Sequence, residues 1–284
     1  MRRTATLLVV AAVAFILLPG MSLAQSSGEQ KPVTHELRLR DGSRVYGCIT
    51  SESDTEVEFE TIAGVKLLAR RDQIVSLRRV EGRLHKGEFQ PADPNNTRLF
   101  FGPTGRALPR GQVYMGMYEF VMPFVQVGIT DRFSVGGGTP LVFGLGDEGF
   151  DRPYWITPKL QVFNGRTAQV SVGLFQGFGG GESAGIAYGV ASVGGAGGSM
   201  TGGAGVAYTG NGDRMVVVMV GGDRPISRYV KFVSENYIWQ SGNGLASAGV
   251  RFFGERVAAD LALVTPIGSN SGFVFPMLNF VYRF

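Results

Sequence analysis

Seven charged residues between positions 119 and 283 are the side chains most able to bind an ion or a polar solute. They interrupt runs that are otherwise apolar: Glu119, Lys159, Lys231, Glu235, Arg251, Asp260 and Arg283. Alternate side chains of a strand share one face, so we predict that all seven lie on the face opposite the apolar residues. Four are basic and three are acidic, which predicts mutual ion pairs on that face.

The sequence lacks the residues that nucleotide binding, hydrolytic catalysis or zinc binding in the predicted strands would require. The glycine clusters at 136–138, 179–181 and 194–205 are not followed by the Lys-Ser/Thr of a phosphate-binding loop. Both histidines, His35 and His85, precede residue 97, so the second half has no base for a Ser-His-Asp arrangement and no imidazole for zinc. The single cysteine, Cys48, excludes an internal disulfide. We predict no enzyme activity, no cofactor and no metal.

Runs of about ten alternating or apolar residues, separated by turn residues, predict the strands that position the seven charges. The sequence Asn164-Gly165 is a strong hairpin signal between two of them. Twelve strands are predicted; ten is the alternative, because Val121-Met122-Pro123 is an unusual turn. The predicted strands are residues 112–120, 123–129, 133–143, 154–163, 167–178, 185–193, 201–208, 215–221, 229–239, 245–253, 257–264 and 273–284.

The alternation also predicts which face each residue occupies. In the fourth strand, Leu160 and Val162 should face outward, and Lys159 and Gln161 inward. The eighth strand, from Met215, is apolar on both faces, which indicates a partly filled interior rather than a wide aqueous pore. Trp155 and Trp239 fit membrane-interface anchors better than ligand platforms.

Charge divides the chain into two parts that suit different solvents. Residues 25–96 carry 23 charged side chains in 72 positions, whereas residues 97–284 carry 25 in 188. A lipid-facing surface must avoid charge, because Arg or Lys costs about 2–4 kcal/mol at the bilayer midplane. The first part is therefore predicted to lie in water, and the second to contact hydrocarbon.

The N-terminal residues have the pattern of a secretory signal peptide. Arg2 and Arg3 precede the apolar residues 7–18, and Ser22-Leu23-Ala24 offers a cleavage site. We predict a signal peptide at 1–24, a small β-domain at 25–80, a linker at 81–110 and a β-barrel at 111–284. Without the two signal arginines the net charge of +4 falls to about +2, too little to indicate a nucleic-acid partner.

The small domain resembles an SH3-like or Sm-like barrel. Its five predicted strands are residues 33–40, 44–50, 56–61, 65–70 and 73–77, with a turn at Asp41-Gly42. The resemblance has no diagnostic motif and is a fold-level analogy. Residues 25–80 are the predicted docking surface for a periplasmic or cell-wall partner.

The C-terminus resembles the closing strand of bacterial outer-membrane β-barrels. Phe280, Tyr282 and the terminal Phe284 alternate with Asn279, Val281 and Arg283. Together with TRLFFGPT at 97–104, this ending resembles uncharacterised Gram-negative outer-membrane barrel proteins. The resemblance implies an all-β chain with a transmembrane antiparallel up-and-down barrel in the outer membrane, and a periplasmic N-terminal domain. Phe280, Tyr282 and Phe284 would then be the insertion signal, and lipid and the barrel insertion machinery would be partners.

Two functions follow as hypotheses. The first is a porin-like narrow solute channel or binding barrel with a periplasmic interaction domain. The second is a structural or assembly barrel whose filled lumen anchors the small domain to a periplasmic or cell-wall partner.

Overall fold

The computed structural model describes residues 33–85, 88–141, 153–195, 197–239, 242–268 and 273–284. The expected signal peptide lies outside the described residues. Over the described ranges the chain is all-β apart from a three-residue 3-10 turn, Arg71–Gln73. No helix in these ranges is long and apolar enough to cross a membrane.

The N-terminal sheet has six antiparallel strands. The five strands expected from the sequence are present, and a sixth follows them. Their order in the sheet is β4-β3-β2-β1-β5-β6. The strands are β1 (Val33–Leu39), β2 (Arg44–Glu52), β3 (Glu56–Thr61), β4 (Lys66–Arg70), β5 (Ile74–His85) and β6 (Glu88–Pro91).

This sheet does not close into the small barrel that the SH3-like or Sm-like resemblance implies. β5 is longer than expected and turns back into β6, so the sheet grows on that side instead of pairing with β4. The result is an open, curled sheet with β4 and β6 at its edges. Its core is a cluster around Leu37, Phe59 and Ala69.

The rest of the chain forms a closed antiparallel barrel. Each strand pairs with its neighbours in sequence, and the last pairs with the first, so no edge remains. β10 and β11 lie in line, interrupted at Thr157-Pro158, and count as one of twelve strands. The strands are β7 (Val113–Tyr118), β8 (Met122–Gly128), β9 (Phe133–Gly138), β10 (Tyr154–Ile156), β11 (Lys159–Asn164), β12 (Ala168–Gly179), β13 (Glu182–Gly195), β14 (Gly198–Thr209), β15 (Arg214–Pro225), β16 (Val230–Trp239), β17 (Gly244–Phe253), β18 (Val257–Ile267) and β19 (Phe275–Arg283).

The count of twelve strands is confirmed, and the alternative of ten is wrong. The unusual first hairpin turns at Glu119 and Phe120, whose φ angles of 49° and 58° are both left-handed. The Val121 amide donates to the Tyr118 carbonyl at 3.0 Å and closes the turn, and positive φ at both central residues is what a type I′ turn requires. Val121 is the third residue of the loop, since Tyr118 pairs with Met122. Neither Glu119 nor Phe120 is the glycine or asparagine that normally marks such a turn, which is why the sequence signal was weak.

The alternation of faces follows the prediction. Leu160 and Val162 are exposed on the outside, whereas Lys159 and Gln161 are buried inside. The outer wall has many exposed apolar side chains, among them Val172, Leu261 and Phe280. Phe280 and Phe284 are exposed, while Val281 between them is buried.

The N-terminal sheet contacts the barrel end that carries the C-terminus. The Arg78 guanidinium bridges Glu36 of the sheet and Glu255 of a barrel turn. Arg283 pairs with Glu81 across 3.2 Å. We call this barrel end the terminal end and the opposite one the loop end.

Candidate functional site: an occupied barrel lumen

A short hairpin of residues 97–104, here called the lumen hairpin, lies inside the barrel. The Leu99 amide donates to the Gly102 carbonyl at 2.8 Å, and the Thr104 amide to the Thr97 carbonyl at 3.0 Å. Phe100 at its tip is fully buried. These residues belong to the segment expected to be a linker, which in the structure comprises the end of β5, β6 and the occupant of the lumen.

The geometry of the barrel explains why the lumen needs an occupant. Twelve strands spaced about 4.8 Å apart and tilted by about 40° enclose a backbone cylinder of radius about 12 Å. Eight strands leave an interior that side chains just fill, whereas 16 to 18 leave an aqueous channel. A twelve-stranded barrel therefore has more room than inward side chains fill, and here a two-stranded ribbon takes part of the remainder.

Glycines let the hairpin and the segment after it approach the wall closely. A Cβ on Gly105 would lie 2.2 Å from the Gln169 carbonyl oxygen and 3.0 Å from the Ser192 amide nitrogen. The Gly105 amide donates to the Ser192 hydroxyl at 2.9 Å, and its carbonyl accepts from Gln161 and Ser171 at 2.8 and 3.0 Å. Residue 105 is thus held by three barrel strands and has no space for a side chain.

Glu235, on β16, binds the tip of the hairpin. Its carboxylate accepts the backbone N–H groups of Phe100, Phe101 and Gly102 at 2.7, 3.1 and 3.0 Å. The Tyr237 hydroxyl donates to the same carboxylate at 2.7 Å. Glu235 is 1% exposed, so these four donors replace the water that the charge gives up. The carboxylate therefore fixes the turn of the hairpin in one position.

Arg251, on β17, holds the base of the hairpin. Its side chain is completely buried and pairs with Asp260 at 2.5 Å and with Asp93 at 3.0 Å. Its guanidinium also donates to the carbonyl oxygens of Asn95, Arg98 and Leu99. Arg251 therefore joins two barrel strands to the segment that enters the lumen.

Lys231, on β16, continues this ion-pair network. Its ammonium lies 2.5 Å from the Asp93 carboxylate and 3.3 Å from that of Asp223. Arg106 approaches Asp223 at 3.9 Å. Arg251, Lys231 and Arg106 thus face three carboxylates, so the network is neutral overall.

Asp93 shows how strongly the network favours ionised groups. Burial would raise the pKa of its carboxyl, but the positive charges of Lys231 and Arg251 outweigh that effect and hold the pKa well below its usual range. Asp93 is therefore ionised at neutral pH, and it keeps the segment before the hairpin paired with Lys231 and Arg251 of the barrel.

Lys159, on β11, is a buried cation held by carbonyl oxygens. Its ammonium donates to the backbone oxygens of Thr97, Thr104 and Arg106 at 3.0, 3.4 and 2.7 Å. No carboxylate pairs with it in the described part of the chain. The hairpin is therefore held from one side by an anion on its amides and from the other by a cation on its carbonyls.

The seven charged residues expected to face inward fall into two groups. Lys159, Lys231, Glu235, Arg251 and Asp260 lie buried in the lumen. Two others lie at the barrel ends: Glu119 is in the first hairpin turn and accepts the Leu278 amide at 3.1 Å, and Arg283 is at the terminal end beside Glu81. Only Arg251 and Asp260 of the seven pair with each other; most of the remaining inward charge binds residues 93–106.

Sequence reasoning missed Asp93, Arg98, Arg106 and Asp223. Three of them lie in the segment interpreted as a linker, and proline and asparagine there suggested an exposed connection. One signal was present: Leu99, Phe100 and Phe101 are too apolar for a solvated linker.

A cavity of about 310 Å³ lies beside the hairpin, toward the loop end. Eight aromatic side chains line it, and one of them is Trp155, which was expected to anchor the barrel at the membrane interface. Trp155 instead points inward and stacks near Phe175, with 6.4 Å between ring centroids. Because Trp155 has the same parity as Lys159, the alternation of the fourth strand already assigned it to the inner face.

The described residues hold no cluster of His, Cys, Asp or Glu able to bind a metal ion. The arrangement places a short hairpin, held by both polar and apolar contacts, beside a cavity with aromatic side chains. A cavity of this kind can bind a small solute.

Comparison with known proteins gives structural likeness only. The chain matches no protein-family model, and no curated protein sequence is significantly similar to it. Among solved structures, KdgM porin in complex with disordered oligogalacturonate has a TM-score of 0.46 at 7% identity, covering 61% of this chain and 98% of that one. NanC porin has a TM-score of 0.41 at 8% identity, covering 61% and 97%. OmpT, an outer membrane protein of Vibrio cholerae, has a TM-score of 0.35 at 12% identity, covering 89% and 97%.

Proposed function

We propose that the chain is an outer-membrane β-barrel that binds a small solute in its lumen and passes it only when the lumen hairpin moves. The observation that carries this proposal is the hairpin itself, which occupies the lumen and is held both by polar contacts with Glu235, Arg251 and Lys159 and by packing of Leu99 and Phe100 against barrel residues such as Val233 and Met277. The polar contacts can be exchanged for water or solute, and the packed apolar pair has to be displaced for the lumen to open.

The outer surface supports a membrane location. Exposed apolar side chains such as Leu160, Val172 and Leu261 cover the outside of the strands, and closed barrels satisfy every backbone hydrogen bond that a bilayer would leave unpaired. The N-terminal sheet would then lie in the periplasm with the terminal end, and Phe280, Tyr282 and Phe284 would serve the insertion machinery.

Binding is favoured over catalysis because the barrel contains no histidine and no cysteine. The buried charges of Glu235, Arg251 and Lys231 are each bound by partners in the lumen, which suits positioning of the hairpin rather than proton transfer.

Conductance in planar lipid bilayers tests the proposal. The comparison is between the mature protein and a variant in which a Gly-Ser loop replaces residues 97–104, both checked for folding by heat-dependent gel mobility. We expect rare, brief openings for the natural chain and steady ion conductance for the variant. A folded variant that stays silent would contradict the role of the hairpin, as would steady conductance by the natural chain.

A second candidate is a membrane anchor for the N-terminal sheet. The bridge from Glu36 through Arg78 to Glu255 favours it, because it fixes the sheet to the barrel. Co-sedimentation of the full chain with isolated peptidoglycan tests this candidate. Retention that requires the exposed face of the sheet would support anchoring, and absence of retention would remove the cell-wall version.

A further inference from the structure

The cavity beside the lumen hairpin has flat apolar walls. Tyr118 and Phe124 stack with ring centroids 4.4 Å apart, and Phe101 of the hairpin lies 4.5 Å from Tyr118. Trp155 and Phe175 form a second stacked pair on the wall. Such rings present large rigid surfaces to which another planar group can stack.

The size of the cavity fits a molecule larger than benzene. An apolar protein cavity of about 150 Å³ holds one benzene molecule, whereas this one measures about 310 Å³. On the opposite wall Gly203 and Gly205 of β14 line the cavity, and their lack of side chains leaves this volume free. A ring system of one or two rings with a small substituent therefore fits.

The charge of the cavity is positive. Of the described residues that line it, Arg98 and Lys159 are basic and none is acidic. Glu235 lies next to the cavity, but its oxygens already accept three backbone amides and the Tyr237 hydroxyl. An anionic ligand would thus meet two basic side chains and, among the described residues, no unpaired carboxylate.

Arg98 is poised to receive such an anion. Its guanidinium lies over the Phe124 ring, 4.4 Å from the centroid. Three of its N–H groups donate to the hydroxyls of Tyr114 and Tyr118. A guanidinium has five N–H donors, so two remain for a carboxylate. Stacking on the ring and both tyrosines fix the orientation of the group.

Solvent reaches the cavity from the loop end. Phe175 has the same parity along β12 as the buried Ser171 and faces inward, yet it is 42% exposed. A ligand can therefore contact the aromatic wall without displacement of the hairpin.

We propose that this cavity binds a small organic carboxylate whose body is a flat apolar ring, with the ring between the aromatic walls and the carboxylate on the two remaining N–H groups of Arg98, on the side of the cavity that also holds Lys159. This inference rests on the proposed binding function and names the class of its ligand. The hairpin contributes Phe101 and Arg98 to the site, so occupancy of the cavity would also hold the hairpin in place.

Isothermal titration of the full mature chain in detergent tests the inference, with 2-naphthoate as the anionic probe and 2-naphthamide as its neutral match. We expect naphthoate to bind at least tenfold more tightly than naphthamide. Arg98→Gln should abolish this preference, Arg98→Lys should keep part of it, and Phe175→Ala should weaken both probes. Phe252→Ala, which removes an aromatic ring exposed on the outer wall, should change neither.

Equal binding of the two probes, or an unchanged preference in a folded Arg98→Gln variant, would overturn the inference. No detectable binding of naphthoate at millimolar concentration would do so as well. These titrations separate it from the proposed passage function. If the barrel without its hairpin conducts but naphthoate does not bind, only the ligand class fails. If naphthoate binds while that barrel stays silent, only passage fails.

Discussion

Replacement of Glu235 by glutamine should release the lumen hairpin while leaving the shape of the side chain unchanged. Three backbone amides and one hydroxyl donate to this carboxylate. Hydrogen bonds to charged groups contribute about 1.5–3 kcal/mol each, and neutral ones about 0.5–1.5 kcal/mol. In addition, one end of the glutamine becomes a donor facing other donors.

The expected loss is therefore about 1 kcal/mol for each of the three amide contacts, or about 3 kcal/mol in total. Because every 1.4 kcal/mol is a factor of ten, the population with a displaced hairpin should rise on the order of 100-fold. The measurement is the open fraction in single-channel records from planar bilayers, at one voltage and one salt concentration for all variants.

Glu182→Gln is the matched control, since Glu182 is exposed at the start of β13 and the chemical change is identical. We expect its open fraction to equal that of the natural chain. If Glu235→Gln is folded, inserted and as silent as the control, the carboxylate does not hold the hairpin closed and the reasoning is refuted.

Three further substitutions test the lumen contacts. Gly105→Ala should lower the free energy of unfolding by about 1–3 kcal/mol in a urea titration, because its Cβ would meet a backbone oxygen of β12. The control is Gly189→Ala, which should leave the free energy of unfolding unchanged because a Cβ there meets nothing within 4 Å. Equal effects of the two substitutions would contradict the close packing at Gly105. Arg251→Met should cost about 3–5 kcal/mol in the same assay, because it leaves Asp260 buried without its ion-pair partner and removes one of the two cations that pair with Asp93. Exposed Arg224→Met should stay within about 0.5 kcal/mol, and a similarly small loss at 251 would show that the network adds little. Asp93→Asn tests the pH dependence of the free energy of unfolding. The pKa of the Asp93 carboxyl is lower in the folded than in the unfolded protein. Its contribution to the free energy of unfolding is therefore complete above the unfolded pKa of about 3.9 and is lost as pH falls through the folded pKa. The stability gap between the natural chain and this variant should be constant from pH 7 to about 4 and shrink at lower pH; a gap that closes between pH 7 and 5 would contradict the assignment.

The twelve strands were predictable because strand signals are local. Alternation places Lys159 inside and Leu160 outside wherever the strand runs, and turn residues such as Asn164-Gly165 mark where it ends. The first hairpin was the weakest prediction, because Glu119 and Phe120 adopt positive φ without being glycine or asparagine.

The content of the lumen was not predictable in this way. Contacts between Glu235 and the hairpin join residues more than 130 positions apart, and no local pattern records such a pairing. Pro94 and Asn95 correctly indicated a segment without regular secondary structure, but they did not show that this segment is buried. Irregular backbone can be buried when barrel side chains form hydrogen bonds with its polar groups. The prediction for Trp155 was wrong for a related reason. Its position in the alternation of the strand assigns it to the inner face of the barrel, but only the tertiary structure shows that it lines a cavity there.

The sequence by itself determined that the chain behind residue 110 alternates apolar and polar faces, avoids charge, and forms strands of about ten residues separated by turns, with ten or twelve strands both compatible with the pattern. These properties follow from the alternation of side chains along a strand, which has a period of two residues. They can therefore be recognised in each short segment of sequence without the rest of the chain. Only the tertiary structure decided that the N-terminal sheet stays open and that residues 97–104 enter the barrel. It also decided that the inward charges bind that segment rather than a water-filled pore. Closure of the barrel brings strands from both ends of the chain around one axis, and the partners of a buried charge are fixed at that step.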